Sequence, residues 1–179
     1  MSKIIITGAS GFVGANLVKK MMDKNEIYIF TRKESDTWRL NDIKSEINVQ
    51  TINFENKNKI QNVVNKIKPD YVFHLATYGG YPFQQNIEKT IESNVTNSIN
   101  LMQALTEYGK LEKFINIGSS SEYGPKTKSM KETNLAEPLL PYGIAKLTQT
   151  YFAKYFFTKF GLPSVTLRLF SVYGLSLIH

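Results

Sequence analysis

The sequence predicts an α/β domain in three layers: a Rossmann-like sandwich whose mainly parallel sheet of about six strands is flanked by helices. Three observations predict it. Strand-length apolar runs alternate with longer stretches of helical periodicity, the runs are apolar on both faces, and the intervening segments are long enough to be crossover helices. The runs fall at 3–7, 27–30, 47–52, 71–75, 114–117 and 164–169. Helical patterns fall near 12–23, 57–67, 86–108 and 142–160, and the stretch between the second and third strands carries the weakest pattern. Segment 120–141, rich in Ser, Lys, Glu and Pro, reads as one long irregular loop, a length that in compact domains usually serves function.

The first strand leads directly into Thr7-Gly8-Ala9-Ser10-Gly11-Phe12-Val13-Gly14, which opens a helix. That setting is what a dinucleotide fingerprint requires. Gly8 permits the tight turn, Gly11 lets backbone approach a pyrophosphate, and Gly14 lets the helix pack closely on the sheet. Ser10 stands where the middle glycine is usually found. The helix start at Phe12 and Val13 offers free N–H groups and partial positive charge to phosphates. A glycine-rich turn that only starts a helix is the plainer alternative; a P-loop is excluded because no G-K-[ST] follows.

The end of the second strand speaks to which dinucleotide. NAD is commonly held by an Asp or Glu about 20 residues beyond the glycines. Here Ile29-Phe30-Thr31-Arg32-Lys33 ends without an acid, and Arg32 stands where it would meet a 2′-phosphate. NADP is therefore expected ahead of NAD, with NAD as the alternative. Arg39, after Trp38, is a further candidate at the adenine end.

Pro141-Tyr142-Gly143-Ile144-Ala145-Lys146 sets a phenol and an ammonium at i and i+4, on one face of a helix that begins near the proline. A phenol with a pKa near 10 is ionised to about one part in a thousand at neutral pH. Using it as a base requires a shift of roughly 3 units, about 4 kcal/mol, and a neighbouring cation supplies that kind of help. Alone, such a spacing usually marks a solvated helix face. Downstream of a dinucleotide turn, and after a strand ending in Gly118-Ser119-Ser120-Ser121-Glu122-Tyr123-Gly124, it marks Tyr142 and Lys146 as candidate catalytic and cofactor-binding residues, because a parallel sheet brings its strand ends to one crevice.

Together these stretches resemble the extended short-chain dehydrogenases, the NAD(P)-dependent epimerase/dehydratase family that acts on nucleotide-linked sugars. Pro69-Asp70-Tyr71-Val72-Phe73-His74-Leu75-Ala76 is similar to its fourth-strand signature, Asn94-Val95-Thr96-Asn97-Ser98 to the helix motif that follows, and Arg168-Leu169-Phe170-Ser171-Val172-Tyr173-Gly174 to its sixth-strand ending, with Leu175 replacing the usual proline. The resemblance implies a Tyr-Lys-Ser site that transfers a hydride in an epimerase, dehydratase or 4-keto reductase. It assigns Leu75 and Ala76 to the cofactor lining, Ser120 or Ser121 to the substrate oxygen, and Glu122 to the place of the acid that dehydratases carry. A cofactor-binding module without turnover is the competing expectation. His74, alone in an apolar strand, reads as structural or as part of the cofactor shell. The loop 77–85 faintly resembles that of reductases making dideoxy sugars.

Residues 1–179 read as one dinucleotide-binding domain that lacks the smaller C-terminal lobe with which relatives grip the nucleotide-sugar. The resemblance also implies a homodimer through the helices at 86–108 and 142–160. Composition bounds the rest. The 22 Lys and Arg against 15 Asp and Glu give +7, which suits an anionic ligand, but the lysines are dispersed, and no arginine-rich or aromatic-interleaved segment points to nucleic acid. Without cysteine there is neither a disulfide framework nor a thiolate metal site. No apolar run approaches the roughly 18 residues of a membrane span and no signal-peptide pattern opens the chain, so a cytoplasmic protein with no membrane partner is expected.

Overall fold

A computed structural model describes residues 1–174. Six strands form one sheet: β1 (Ser2–Thr7), β2 (Asn25–Thr31), β3 (Asn48–Thr51), β4 (Tyr71–His74), β5 (Lys113–Ser119) and β6 (Ser164–Leu169). Every pairing is parallel and the order is β3-β2-β1-β4-β5-β6. The order reverses between β1 and β4, so their C-terminal ends splay apart there and leave a crevice. The expected sheet is thus observed with all six strands.

The helices are α1 (Phe12–Met21), α2 (Lys57–Ile67), α3 (Ile87–Ile91), α4 (Asn97–Tyr108) and α5 (Pro141–Phe160). Two apolar cores lie on opposite faces of the sheet. On one, Ile4, Ile6, Ile27 and Ile29 pack with Ala15 and Val18 of α1. On the other, Ile5, Val72 and Phe114 pack with Ile60 and Val64 of α2, Leu101 and Leu105 of α4, and Ala153 and Phe156 of α5. Alternate residues of β1 therefore serve different cores, which explains strands apolar on both faces.

The helix expected at 86–108 is one helical run with a fault. A π-helical turn, Glu92–Thr96, joins α3 to α4. The extra residue directs Asn94 inward, fully buried, where Oδ1 accepts from the Thr77 hydroxyl at 2.8 Å and the Tyr78 amide at 3.0 Å while Nδ2 donates to the Tyr78 carbonyl at 2.6 Å. One side chain so pins the loop after β4; π turns of this kind concentrate at functional sites. The weakly patterned stretch before β3 holds two short 3₁₀ turns, Trp38–Leu40 and Lys44–Glu46. The long loop 120–141 is irregular as expected, apart from a 3₁₀ turn at Ser120–Tyr123. Leu175 and the four residues after it lie outside the described residues.

Candidate active site

Above the strand ends, at the β1/β4 switch point, lies a cleft of about 610 Å³. Its lining contains Gly8, Ser10, Gly11, Phe12, Val13 and Gly14 from the glycine turn, Arg32 after β2, Leu75 and Ala76 after β4, Ser120 and Ser121 after β5, and Tyr142 of α5. The turn and the tyrosine, 134 residues apart in the chain's numbering from Gly8 to Tyr142, thus face one cavity.

Backbone builds the turn end. Gly8 sits at φ +68°, and a Cβ there would stand 2.6 Å from the Ala76 amide nitrogen, so any side chain would push the turn off the strand beside it. A Cβ on Gly14 would stand 2.7 Å from the Ala9 Cα, so α1 leaves the sheet only as glycine allows. Helix α1 has no side-chain cap at its N-terminus and no acid in its first turn. Its first N–H groups are therefore available to an anion. Arg39 reaches the glycine turn: its Nη1 donates to the Ser10 carbonyl at 3.3 Å and its guanidinium lies 4.3 Å over the Trp38 ring.

Side chains build the tyrosine end. The Tyr142 ring lies over the loop after β4, where a Cβ on Gly80 would be 3.8 Å from the phenol oxygen. Helix α5 starts close to the serine turn because Gly143 carries no Cβ, which would meet the Ser121 carbonyl at 2.5 Å. Proline at N1 and an uncapped Leu140 define that start.

Two expected residues stand elsewhere. Glu122, expected at the acid's place, does not line the cleft. Its side chain is fully buried: Oε1 accepts from the Ser119 amide at 2.8 Å, and Oε2 accepts from Thr150 Oγ1 at 3.0 Å and from Arg168 Nε at 2.7 Å. It joins β5, β6 and α5 through these three donors. Lys146 is also buried and absent from the cleft lining; its Nζ donates to Gln149 Oε1 at 2.5 Å. Burial draws its ammonium down to about 8, against the upward pull of the Glu122 carboxylate.

His74 is fully buried, lines the floor of the cleft and is bonded at both ring nitrogens. The Ala76 amide donates to Thr7 Oγ1 (3.1 Å), Thr7 stands 2.7 Å from His74 Nδ1, Ser98 Oγ stands 2.8 Å from His74 Nε2, and Ser98 donates to the Asn94 carbonyl (2.8 Å). With the Ser98 proton committed to Asn94, the imidazole donates from Nε2, and in the neutral ring Nδ1 accepts from the Thr7 hydroxyl. Burial and the Lys146 charge lower its pKa to about 3.

Sequence reading missed Gln149, although it lies three residues after Lys146 on α5, and missed the cleft residues Ser93 and Asn97, which reach the cavity because of the π turn. The first could have been found from i, i+3 spacing; Asn97 stood inside the helix motif 94–98 without being singled out as a site residue, and nothing in the sequence marks Ser93.

The profile of the NAD dependent epimerase/dehydratase family matches residues 4–177. The chain belongs to that family. As a family member it is 29% identical to an uncharacterized UDP-glucose epimerase, YtcB, of Bacillus subtilis over 96% of this chain and 57% of that protein, and 29% identical to the protein CapI of Staphylococcus aureus over 96% and 54%. Among solved structures, the UDP-glucuronic acid 4-epimerase of Bacillus cereus in complex with NAD superposes with a TM-score of 0.85 at 28% identity, over 96% of this chain and 57% of that one. The UDP-glucose 4-epimerase of Thermotoga maritima with UDP-glucose does so with 0.87 at 26%, over 96% and 56%. This epimerase/dehydratase chain spans little more than half the length of the relatives it matches. None of its described helices is long and apolar enough to cross a membrane.

Proposed function

We propose that residues 1–179 form the dinucleotide-binding domain of an oxidoreductase acting on a nucleotide-linked sugar, as an epimerase, dehydratase or 4-keto reductase. The observation that carries this reading is the shared cleft: the glycine turn, the serine turn and Tyr142 line one cavity at the switch point of a parallel sheet. The uncapped start of α1 and the space kept free by Gly8 and Gly14 fit a dinucleotide. When bound, that dinucleotide supplies the hydride acceptor or donor.

The chain's own groups then have separate tasks. N–H groups at Phe12 and Val13 hold the pyrophosphate. Leu75 and Ala76 form the wall beside it. Tyr142 takes the proton from a sugar hydroxyl, or returns it, at the phenol oxygen, and Ser120 or Ser121 holds the reacting oxygen with a hydrogen bond. Lys146, one turn further along α5, stabilises the phenolate electrostatically. Glu122, saturated by its three donors, keeps the serine turn in place. The dinucleotide is NADP on this reading, because Arg32 lines the cleft with no acid at that strand end. The NAD bound to the Bacillus cereus relative favours NAD as the alternative. The substrate partner is a UDP-sugar or a similar nucleotide-sugar, and the assembly is a homodimer through the helical run 87–108 and α5.

One observation favours a second reading, a cofactor-binding module without turnover: the Lys146 ammonium is engaged by Gln149 and stands outside the cleft lining. A single pair of assays separates them. NADPH and NADH are titrated by quenching of Trp38 fluorescence, and conversion of UDP-glucose, UDP-glucuronic acid and dTDP-glucose is followed with the wild-type chain and with Tyr142→Phe. Turnover reduced at least about 100-fold in the variant, with cofactor affinity kept, supports the enzyme. Tight cofactor binding without turnover of any of them supports the module.

A further inference from the structure

We propose that Gln149 is the positioning residue of Lys146, and that its amide, turned one way or the other, gives the lysine a hydrogen-bond partner in both the ammonium and the amine form. Lys146 then ionises inside the protein, releasing its proton to water, without leaving its place. This deepens the reading of Lys146 as the partner of Tyr142, and its test reads the lysine directly so that the two ideas can fail separately.

Burial and geometry carry it. Lys146 and Gln149 lie one turn apart on α5, 2% and 0% exposed. The lysine donates to Gln149 Oε1 at 2.5 Å, while Gln149 Nε2, equally buried, has no acceptor. Among the described residues Lys146 forms no ion pair. A buried ammonium meant to stay charged is best served by a carboxylate. A primary amide serves another purpose. Its oxygen accepts from an ammonium, and after a half-turn of the amide its nitrogen donates to the lone pair of an amine. The unfilled donor on Nε2 is the second half of that device.

The other ionisable neighbours leave this role to Gln149. From β4, His74 is neutral and bonded at both ring nitrogens. From the turn after β5, the Glu122 carboxylate is taken up by Ser119, Thr150 and Arg168. From α5 itself, Tyr142 lies one turn before the lysine, with its ring toward the loop after β4. Burial already brings the lysine to about 8, within reach of ordinary conditions.

The test is an NMR titration of the full chain labelled with ¹³C at lysine Cε, with the Lys146 signal identified by its absence in Lys146→Arg. Wild type is compared with Gln149→Met, similar in volume but without a strong acceptor, and with Gln149→Glu, which supplies a permanent partner for the ammonium. The methionine variant should lower the Lys146 midpoint by about one pH unit, because the charge-assisted bond that Gln149 takes from the ammonium is stronger than the one it makes with the amine, and the glutamate variant should raise it by about two. Midpoints that agree within about 0.3 unit across all three proteins, or a wild-type lysine still fully charged at pH values near its ordinary pKa, would overturn the proposal. Should Gln149→Glu not fold, the methionine variant decides alone. Lys146→Met with undiminished turnover would end the catalytic reading of the pair and leave the Gln149 effect on the midpoint intact.

Discussion

The two ends of the cleft are built from different materials. At the turn end, shape comes from backbone: glycines that admit no Cβ, and a helix start with its N–H groups free. At the tyrosine end, shape comes from side chains that hold one another, with Glu122 gripping Arg168, Thr150 and the Ser119 amide while Gln149 grips Lys146. A backbone site tolerates change in its surroundings but not at its glycines. A side-chain site can be altered at many positions, and its failure spreads to the fold because its members are buried.

That contrast makes predictions. Arg168→Met removes the cation from a fully buried carboxylate, which should cost about 3–5 kcal/mol in urea unfolding, while dinucleotide binding by the folded fraction, on the proposed reading, should be unchanged. Equal loss at both ends would show that the two are one cooperative unit.

His74, which bonds Thr7 of β1 to Ser98 of α4, should make the protein acid-labile. In the unfolded chain its imidazole ionises at the usual 6.5, in the folded chain only at about 3. Between those values the unfolded state binds the extra proton. Its contribution is therefore complete above pH 6.5 and is lost as pH falls toward 3, at about 1.4 kcal/mol per unit, or about 3 kcal/mol by pH 4. His74→Asn should flatten that limb of a stability profile; an unchanged limb would place the sensitivity elsewhere.

Gly8→Ala attacks the turn end alone. At φ +68° and 2.6 Å from the Ala76 nitrogen, the new methyl group must displace the turn, and cofactor affinity should fall by about 100-fold, measured by fluorescence titration, with the environment of Tyr142 unaltered. Arg32→Ala should have the mildest effect, weakening NADPH by about tenfold and leaving NADH unchanged. A loss for NADH alone would reverse the cofactor assignment.

The same contrast explains how much could be read beforehand. Strand runs, the parallel sheet and the glycine turn were legible because period and glycine spacing encode backbone directly: α2 and β6 occupy the residues their patterns predict, and the Gly8 turn lies where a strand must end and a helix must start. Tyr142 was legible through its helix. Glu122 and Lys146 were named as site residues, yet where their charged ends point depends on Arg168, 46 residues away in sequence, and on Gln149, whose side chain happens to reach back one turn. Sequence spacing places a Cα; it does not say which neighbour captures a long flexible side chain. The π turn was hidden for a related reason, since one surplus residue barely disturbs a helical pattern.

That surplus residue limits how this region can evolve. Removing any one position from Glu92–Thr96 would restore ordinary helix and rotate everything before it by about 100° relative to α4. Lys89, now at the cavity's edge, and Thr90, now against Gly79, would swing away together, and Asn94 would lose its grip on Tyr78. Gaps in this segment should therefore be far rarer among functional homologues than point substitutions, even where the residues face water.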